Sequence, residues 1–249
     1  MSFDWSIYLQ LSPDGQYTYV QTLYHGLGWT LLTALLAWGI ALGLGGIIGT
    51  LRTTAYRWVV GLCRAYVELF RNIPLLVQMF LWFFVLPELL PAAAGLWLKR
   101  LPQASFVTAV ICLGCFTSAR VAEQVRAGIL ALPRGQWQAG TALGLTLPQL
   151  YRYVLLPVAL RVILPPLTSE LLNVIKNSAV ALTIGLLELT AAARSMQEFS
   201  FHVFEAFAAA TVLYIVINIV VVNGMRWLEK RVQVPGFLGT SGSAGSTVH

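Results

Sequence analysis

The chain has 249 residues, of which 57% are hydrophobic and only 10% are charged, and its formal net charge is +6. Soluble domains carry about 25% charged residues, so this composition excludes a soluble globular protein and predicts an integral membrane protein. Lys and Arg collect in the cytoplasmic loops of membrane proteins, which explains the basic balance without nucleic acid as a partner.

Five segments of the chain are predicted to cross a membrane. The first, Gly26 to Leu51, has no charged residue, and at a rise of about 1.5 Å per residue it exceeds the roughly 30 Å hydrocarbon core. The four others are Ile73 to Leu90, Ser105 to Ala122, Val162 to Leu187 and Val203 to Met225. The predicted fold class is therefore all-α and polytopic, with five transmembrane helices.

Three regions are expected along the chain. Residues 1–25 form a polar and aromatic periplasmic segment, which lacks the basic region of a signal peptide. Residues 26–229 form the transmembrane domain. Residues 230–249 form a cytoplasmic tail, whose Gly- and Ser-rich end predicts disorder.

The distribution of Lys and Arg predicts the orientation. Residues 52–71 and 120–161 hold nine of them and residues 226–231 hold three more. The predicted outer segments, which include a loop from Glu188 to Glu205, hold three. By the positive-inside rule, the N-terminus is periplasmic and the C-terminus is cytoplasmic.

Small residues in the first span predict close helix packing. Gly39 with Gly43, and Gly45 with Gly49, are pairs of small residues four positions apart, which allow a neighbouring helix to approach closely.

Charges and prolines define the second span. Glu68 and Arg71 are three residues apart and are predicted to pair on one helical face. Pro74 is expected to start a helix, and Pro87 and Pro91 are expected to end it.

Neither a metal site nor an enzymatic centre is predicted. Cys112 and Cys115 form a C-x-x-C, but within an apolar run without a second Cys or His pair they indicate packing. The three histidines are isolated from one another in sequence. No G-x-x-x-x-G-K-[ST] motif occurs, so no phosphate-binding loop of that kind is predicted, and no cofactor is expected on this chain.

The stretch from Arg134 to Pro157, called loop 134–157 below, is predicted to form two short helices. Pro133 and Gly135 are expected to stop the arriving helix, the good helix formers of Gln136 to Leu143 form the next one, and Gly144 closes it. A second helix then follows. Thr146 with Gln149 fits a capping box, and Pro148 suits the first turn.

The fourth predicted span is polar on one side. At 100° per residue, Glu170, Asn173 and Asn177 share a face beside a stripe that contains Lys176. Ionisable residues at bilayer depth face water or a partner rather than lipid. These four residues are therefore predicted to line a substrate passage. The alternative is a structural Glu170–Lys176 pair, which requires a partner on another helix.

Two adjacent prolines are predicted to distort the start of that span. Pro165 and Pro166 each lack a backbone N–H, so we expect exposed carbonyl groups around them.

The spacing within loop 134–157 resembles a known motif. Gln138-Ala139-Gly140, Gly144, Val154 and Leu156-Pro157 fall at the offsets of the EAA loop of bacterial binding-protein-dependent ABC importer permeases. In that family the loop is a coupling helix that docks in a groove of the ATP-binding subunit. Gln138, Gly140 and Val154 depart from the family's Glu, Ala and Ile. The resemblance implies that six residues couple the chain to the ATPase: Gln138, Ala139, Gly140, Gly144, Leu156 and Pro157.

The resemblance extends from about Gly26 to Glu229. Runs such as YVELFRNIPLLVQ, EQVRAGILALPRGQ and LTSELLNVIKNSA are similar to the histidine/glutamate branch of polar amino acid ABC permeases, and most similar to glutamate/aspartate permease subunits. That implies a type I ABC importer permease fold in the bacterial inner membrane. It also implies a second permease subunit, identical or related, two ATP-binding subunits that carry ATP and Mg, and a periplasmic amino-acid-binding protein. The chain itself is then a transporter subunit and not an enzyme.

Three alternatives stay open on the sequence alone. One is an importer of another polar amino acid. The second is a secondary transporter driven by an ion gradient, with Glu170 as the proton carrier. The third is a membrane scaffold that transports nothing.

Overall fold

The computed structural model describes residues 4–232 of the chain, and this part is almost entirely helical. Its α-helices are α1 Tyr19–Leu51, α2 Arg57–Asn72, α3 Leu75–Phe80, α4 Leu86–Leu89, α5 Ala92–Lys99, α6 Ala104–Leu130, α7 Arg134–Ala142, α8 Leu147–Leu150, α9 Leu156–Asn177, α10 Leu189–Ser200 and α11 Val203–Val232. The Gly- and Ser-rich end of the predicted tail lies outside the described residues, whereas residues 230–232 of that tail belong to α11.

Short stretches of other helix types join or extend several of these helices. A π-helical turn, Leu81–Val85, joins α3 to α4, and a second one, Tyr151–Leu155, joins α8 to α9. A 3-10 stretch, Ser178–Ile184, extends α9, and another, Trp5–Leu9, precedes α1.

Four described helical units are long and apolar enough to cross a membrane. They are α1, α6, the continuous unit Leu147–Ile184 and α11. The count reaches five when α2 and the α3–α4 unit, which are bent by 102° relative to each other, are taken as one span. The prediction of an all-α membrane fold is confirmed, and the predicted second span coincides with the α3–α4 unit of the bent pair.

The bend between α2 and α3 has a local cause. Pro74 is extended and caps α3, as predicted for a helix start. The buried Gln78 side chain donates from Nε2 to the carbonyls of Phe70, at 2.9 Å, and Ile73, at 2.8 Å. The bend is therefore a stabilised feature. The prediction that Pro87 ends the span is wrong, because the helical unit runs on from the π-helical turn through Pro87 to Leu89.

The core is built on the contact of α1 with α6. A Cβ atom on Gly45 would lie 2.6 Å from Val121 Cβ, and one on Gly49 would lie 2.6 Å from the Ala122 carbonyl oxygen. This confirms the close packing predicted for that pair. Gly39 and Gly43 have nothing within 4 Å of such an atom among the described residues, so no described helix of this chain packs on that pair. The two pairs lie about 120° apart around the helix, so α6 contacts only one of them.

Replacing Gly45 by alanine is expected to destabilise the protein, whereas Gly43→Ala is expected to leave it unchanged or slightly stabilise it. The first change forces a methyl group into α6 and costs about 1–3 kcal/mol. The second change introduces only the higher helix propensity of alanine, which stabilises a helix by about 0.5–1 kcal/mol relative to glycine. Thermal unfolding of both variants in the same detergent measures the difference. Equal melting temperatures would contradict the packing of α1 on α6.

The segment predicted as an outer loop from Glu188 to Glu205 is instead largely the helix α10. Its buried residues recur with helical spacing and pack against α1 and α11: Leu189, Ala192, Ala193 and Met196. That amphipathic pattern is present in the sequence, whereas the prediction of a loop rests on the four charged residues of the segment.

Glu188 fixes the start of α10. Its buried carboxylate accepts the backbone N–H groups of Thr190, at 2.9 Å, and Ala191, at 2.8 Å, and the Tyr214 hydroxyl at 3.0 Å. Burial raises the pKa of Glu188, and these hydrogen bonds oppose that rise. One side chain thus connects the start of α10 to α11.

Candidate functional site

Helix α7 forms where the sequence predicts a short helix. Gly144 has a positive φ of +75°, which favours glycine. The N–H of Gly144 donates to the Thr141 carbonyl at 3.0 Å, and that of Leu145 donates to the Gly140 carbonyl at 3.2 Å. These two bonds define a Schellman motif, so glycine at 144 ends the helix. The prediction that Gly135 stops the preceding helix is wrong, because Gly135 lies in the first turn of α7.

The second half of loop 134–157 leads directly into a long helix. The backbone N–H of Thr146 donates to Gln149 Oε1 at 2.9 Å, as the predicted capping box requires. Helix α8, the π-helical turn and α9 then follow without a break, and Pro157 lies in the first turn of α9. One continuous helical unit therefore joins this half of the loop to α9. π-helical turns of this kind are frequent at functional sites.

One face of α7 packs on the rest of the chain. A Cβ atom on the buried Gly140 would lie 2.3 Å from Leu150 Cδ1. The rings of Trp137 and Tyr151 meet edge to face at 5.5 Å, and the Tyr151 hydroxyl donates to the Thr53 carbonyl at 3.0 Å. These contacts connect α7 to the start of α9 and to the turn after α1.

The opposite face of α7 is exposed. Gln138, Ala139 and Gly144 lie on the surface, and the Leu143 side chain is 80% exposed. At the start of α9, Leu156 is half-buried and Pro157 is exposed. A large exposed apolar side chain such as Leu143, beside small residues such as Ala139 and Gly144, is suited to packing on another protein.

A polar cavity of about 300 Å³ opens between α2, α6 and α9. It is lined by Arg71, Arg120, Glu123, Gln124 and Glu170. Glu123 is contacted by three arginines: Arg52 at 2.6 Å, Arg126 at 3.1 Å and Arg71 at 3.4 Å. We call this space the arginine–glutamate cavity.

Glu170 is the buried acid of this cavity. It is only 9% exposed, and its Oε2 atom has no hydrogen-bond partner among the described residues. The nearest cation is Arg120, whose Nη1 lies 4.0 Å away and whose guanidinium stacks on the Phe116 ring. A buried carboxylate with an unfilled acceptor site can receive a ligand's ammonium group.

The charges around the cavity favour an acidic ligand. Four arginines lie in or directly behind its wall, against two glutamates: Arg52, Arg71, Arg120 and Arg126 against Glu123 and Glu170. Guanidinium groups bind carboxylates with two parallel hydrogen bonds. A small molecule with more than one carboxylate and one ammonium therefore matches the wall.

The predicted passage residues do not all meet in this cavity. Glu170 lines it, whereas Asn173 and Asn177 are half-buried elsewhere along α9 and Lys176 is exposed. The Glu170–Lys176 pair does not form in the part of the chain that the structure describes; Arg120, on α6, is the interhelical partner of Glu170. Lys176 is turned about 120° from Glu170 around the helix axis, so the two side chains leave in different directions.

The prediction that Glu68 pairs with Arg71 is also wrong. Glu68 pairs with Arg64 at 2.6 Å, while Arg71 reaches Glu123. Pro165 and Pro166 do not break α9, which continues through both. The irregular backbone of this unit lies instead in the π-helical turn before α9 and the 3-10 stretch after it.

Comparisons with known proteins agree with this architecture. Residues 41–234 match the family model described as "Binding-protein-dependent transport system inner membrane component". The chain is 48% identical to the glutamate/aspartate import permease protein GltJ of Escherichia coli (strain K12), covering 96% of this chain and 99% of that protein. It is 33% identical to the probable glutamine ABC transporter permease protein GlnM of Bacillus subtilis (strain 168), covering 86% of this chain and 93% of that protein.

A solved structure shows the same fold. The crystal structure of an amino acid ABC transporter with histidines matches with a TM-score of 0.73 and 30% identity, covering 86% of this chain and 95% of that chain. The chain therefore belongs to the family of binding-protein-dependent transport system inner membrane components.

Proposed function

We propose that this chain is the permease subunit of an ATP-driven importer of glutamate and aspartate in a bacterial inner membrane. The observation that carries the proposal is 48% identity, across 96% of the chain, to a permease named for both amino acids. The excess of arginine around the arginine–glutamate cavity supports an acidic substrate. The N-terminus lies in the periplasm and the C-terminus in the cytoplasm, as the positive-inside rule predicts.

Loop 134–157 is the coupling element of this proposal. The exposed face of α7 docks on an ATP-binding subunit, and movement passes through the Trp137–Tyr151 contact into α9, which carries Glu170. ATP shifts the equilibrium between inward-open and outward-open states by binding one of them better. The residues with coupling roles are Gln138, Ala139, Gly140, Gly144, Leu156 and Pro157.

The arginine–glutamate cavity is the inner part of the substrate passage. Arg71 and Arg120 receive the substrate's carboxylates, and Glu170 receives its ammonium group. Asn173, Lys176 and Asn177 lie further along α9 and line the rest of the passage.

The partners follow from the same proposal. Two ATP-binding subunits carry ATP and Mg on the cytoplasmic side, a second permease subunit, identical or related, completes the passage, and a periplasmic amino-acid-binding protein delivers the substrate. This chain holds no cofactor and catalyses no reaction of its own.

Reconstitution tests the proposal against its main competitor. The chain is placed in vesicles with its ATP-binding subunits and binding protein, and uptake of labelled glutamate and aspartate is followed with and without ATP. Uptake should require ATP and both partners. Gradient-driven uptake by the chain alone would identify a secondary transporter and refute the proposal.

A further inference from the structure

Helix α2 has a side that no other part of the described chain covers. Trp58, Leu62 and Leu69 are 90%, 74% and 57% exposed, and Ala65, which lies between them, is exposed as well. The four residues are spaced by four, three and four positions, so they form one apolar stripe along the helix. A continuous apolar stripe on a surface indicates contact with lipid or another protein.

A positively charged row runs beside this stripe. It consists of Arg57, Arg64 and Glu68, and in it Arg64 Nε contacts Glu68 Oε1 at 2.6 Å. Two guanidinium groups against one carboxylate leave the row positive, whereas Arg71 pairs with Glu123 at the arginine–glutamate cavity. The remaining face of α2 packs on α6 through the buried Val67. The helix thus has a protein side, an apolar side and a basic side.

The geometry places α2 in the plane of the membrane. Its axis and that of the α3–α4 unit differ by 102°, so the two cannot both run along the membrane normal. The apolar α3–α4 unit is suited to the hydrocarbon core, whereas α2 carries four charged residues. Helix α2 also packs near Ile48, three residues before the end of α1, and therefore near one boundary of the membrane.

We propose that α2 is an interfacial helix that binds anionic phospholipids of the inner leaflet. Trp58, Leu62 and Leu69 lie among the upper acyl chains, and Arg57 and Arg64 contact the lipid phosphates. The inference rests on the proposed orientation, which puts α2 on the cytoplasmic side. It adds a lipid partner that the transport function alone does not require.

Charge distinguishes a lipid partner from a second copy of the chain. A copy that met the stripe across a two-fold axis would bring its own positive row close to this one, and like charges repel. Anionic headgroups instead complement the positive row. Each arginine near the surface can raise the affinity for an anionic membrane by up to about fivefold.

Quenching of Trp58 fluorescence by brominated lipids tests the proposal. The assembled transporter is placed in nanodiscs, and the difference between the wild type and Trp58→Phe isolates this residue among the eight tryptophans. Bromines near the top of the acyl chain should quench more than bromines near its end. At equal mole fraction, brominated phosphatidylglycerol should quench about two- to fivefold more than brominated phosphatidylcholine.

Matched variants identify the source of the preference for phosphatidylglycerol over phosphatidylcholine. Arg57→Gln and Arg64→Gln should each reduce this preference. Arg100→Gln should not, because Arg100 is an exposed residue on the predicted outer side. Equal quenching by the two lipids would overturn the proposal. So would a Trp58 that neither lipid nor acrylamide quenches, because a protein partner then covers it. ATP-dependent uptake, measured after the same purified transporters are reconstituted in sealed vesicles, shows whether the proposed function fails as well.

Discussion

Replacing Ala139 by tryptophan is expected to lower amino acid uptake by cells at least tenfold while the amount of protein in the membrane stays normal. Ala139 is exposed on α7, on the side away from Gly140 and its contact with Leu150. The larger side chain therefore leaves the fold intact but fills the space where the ATP-binding subunit docks. Overpacking costs about 1–3 kcal/mol, and 1.4 kcal/mol is a factor of ten.

A matched substitution controls for the bulk of tryptophan. Ala93 is exposed on α5, away from loop 134–157, and Ala93→Trp should leave uptake unchanged. Membrane abundance of both variants is measured by immunoblotting. Normal uptake by Ala139→Trp would contradict the coupling role of α7, as would a loss that only follows degradation of the protein.

Replacing Glu170 by glutamine is expected to reduce the initial rate of glutamate uptake by about 10- to 150-fold. The side chain keeps its size but loses the charge that binds the substrate's ammonium group. Hydrogen bonds to charged groups contribute about 1.5–3 kcal/mol, which corresponds to this range. The exposed Glu198 pairs with Arg194 at 2.8 Å, and Glu198→Gln should have no effect.

A charge swap separates ligand binding from a purely structural ion pair. If Glu170 only balances Arg120, the double variant Glu170→Arg with Arg120→Glu restores the pair and should recover uptake. If Glu170 binds substrate, uptake stays lost in the double variant. Recovery to near wild-type rates would contradict the proposed passage.

Loop 134–157 was predictable because its signals are local. A glycine that needs a positive φ at 144 and a Thr–Gln pair three residues apart at 146 and 149 each fix the backbone within one turn. These signals place α7 and α8 without knowledge of the rest of the fold.

The arginine–glutamate cavity was not predictable because its residues are distant in sequence. Arg52 and Glu123 are 71 positions apart, and helical periodicity describes only one helix at a time. The same limit explains the wrong pairing of Glu68 with Arg71. On an isolated helix that pair is reasonable, but the folded chain brings Glu123 to Arg71 and leaves Glu68 to Arg64.

Of the four residues predicted to line a passage on α9, Glu170 lines the arginine–glutamate cavity, whereas Asn173, Lys176 and Asn177 lie outside it. Ionisable residues at bilayer depth face water or a partner rather than lipid, and Glu170 accordingly lines the cavity. Asn177 is seven residues along the helix, about 10 Å away, so it shares the direction of Glu170 but not its surroundings. The sequence predicts the direction in which a side chain leaves a helix, whereas the length of a cavity along that helix depends on the neighbouring helices.

Cross-linking at α7 tests the central claim most directly. Ala139→Cys is prepared in a background without the three native cysteines, and a short bifunctional reagent is applied to the assembled transporter in membrane vesicles. We expect a cross-link to the ATP-binding subunit and no labelling by an impermeant thiol reagent added from the periplasmic side. Labelling from that side, or a residue that cross-links to no ATP-binding subunit, would contradict the claim.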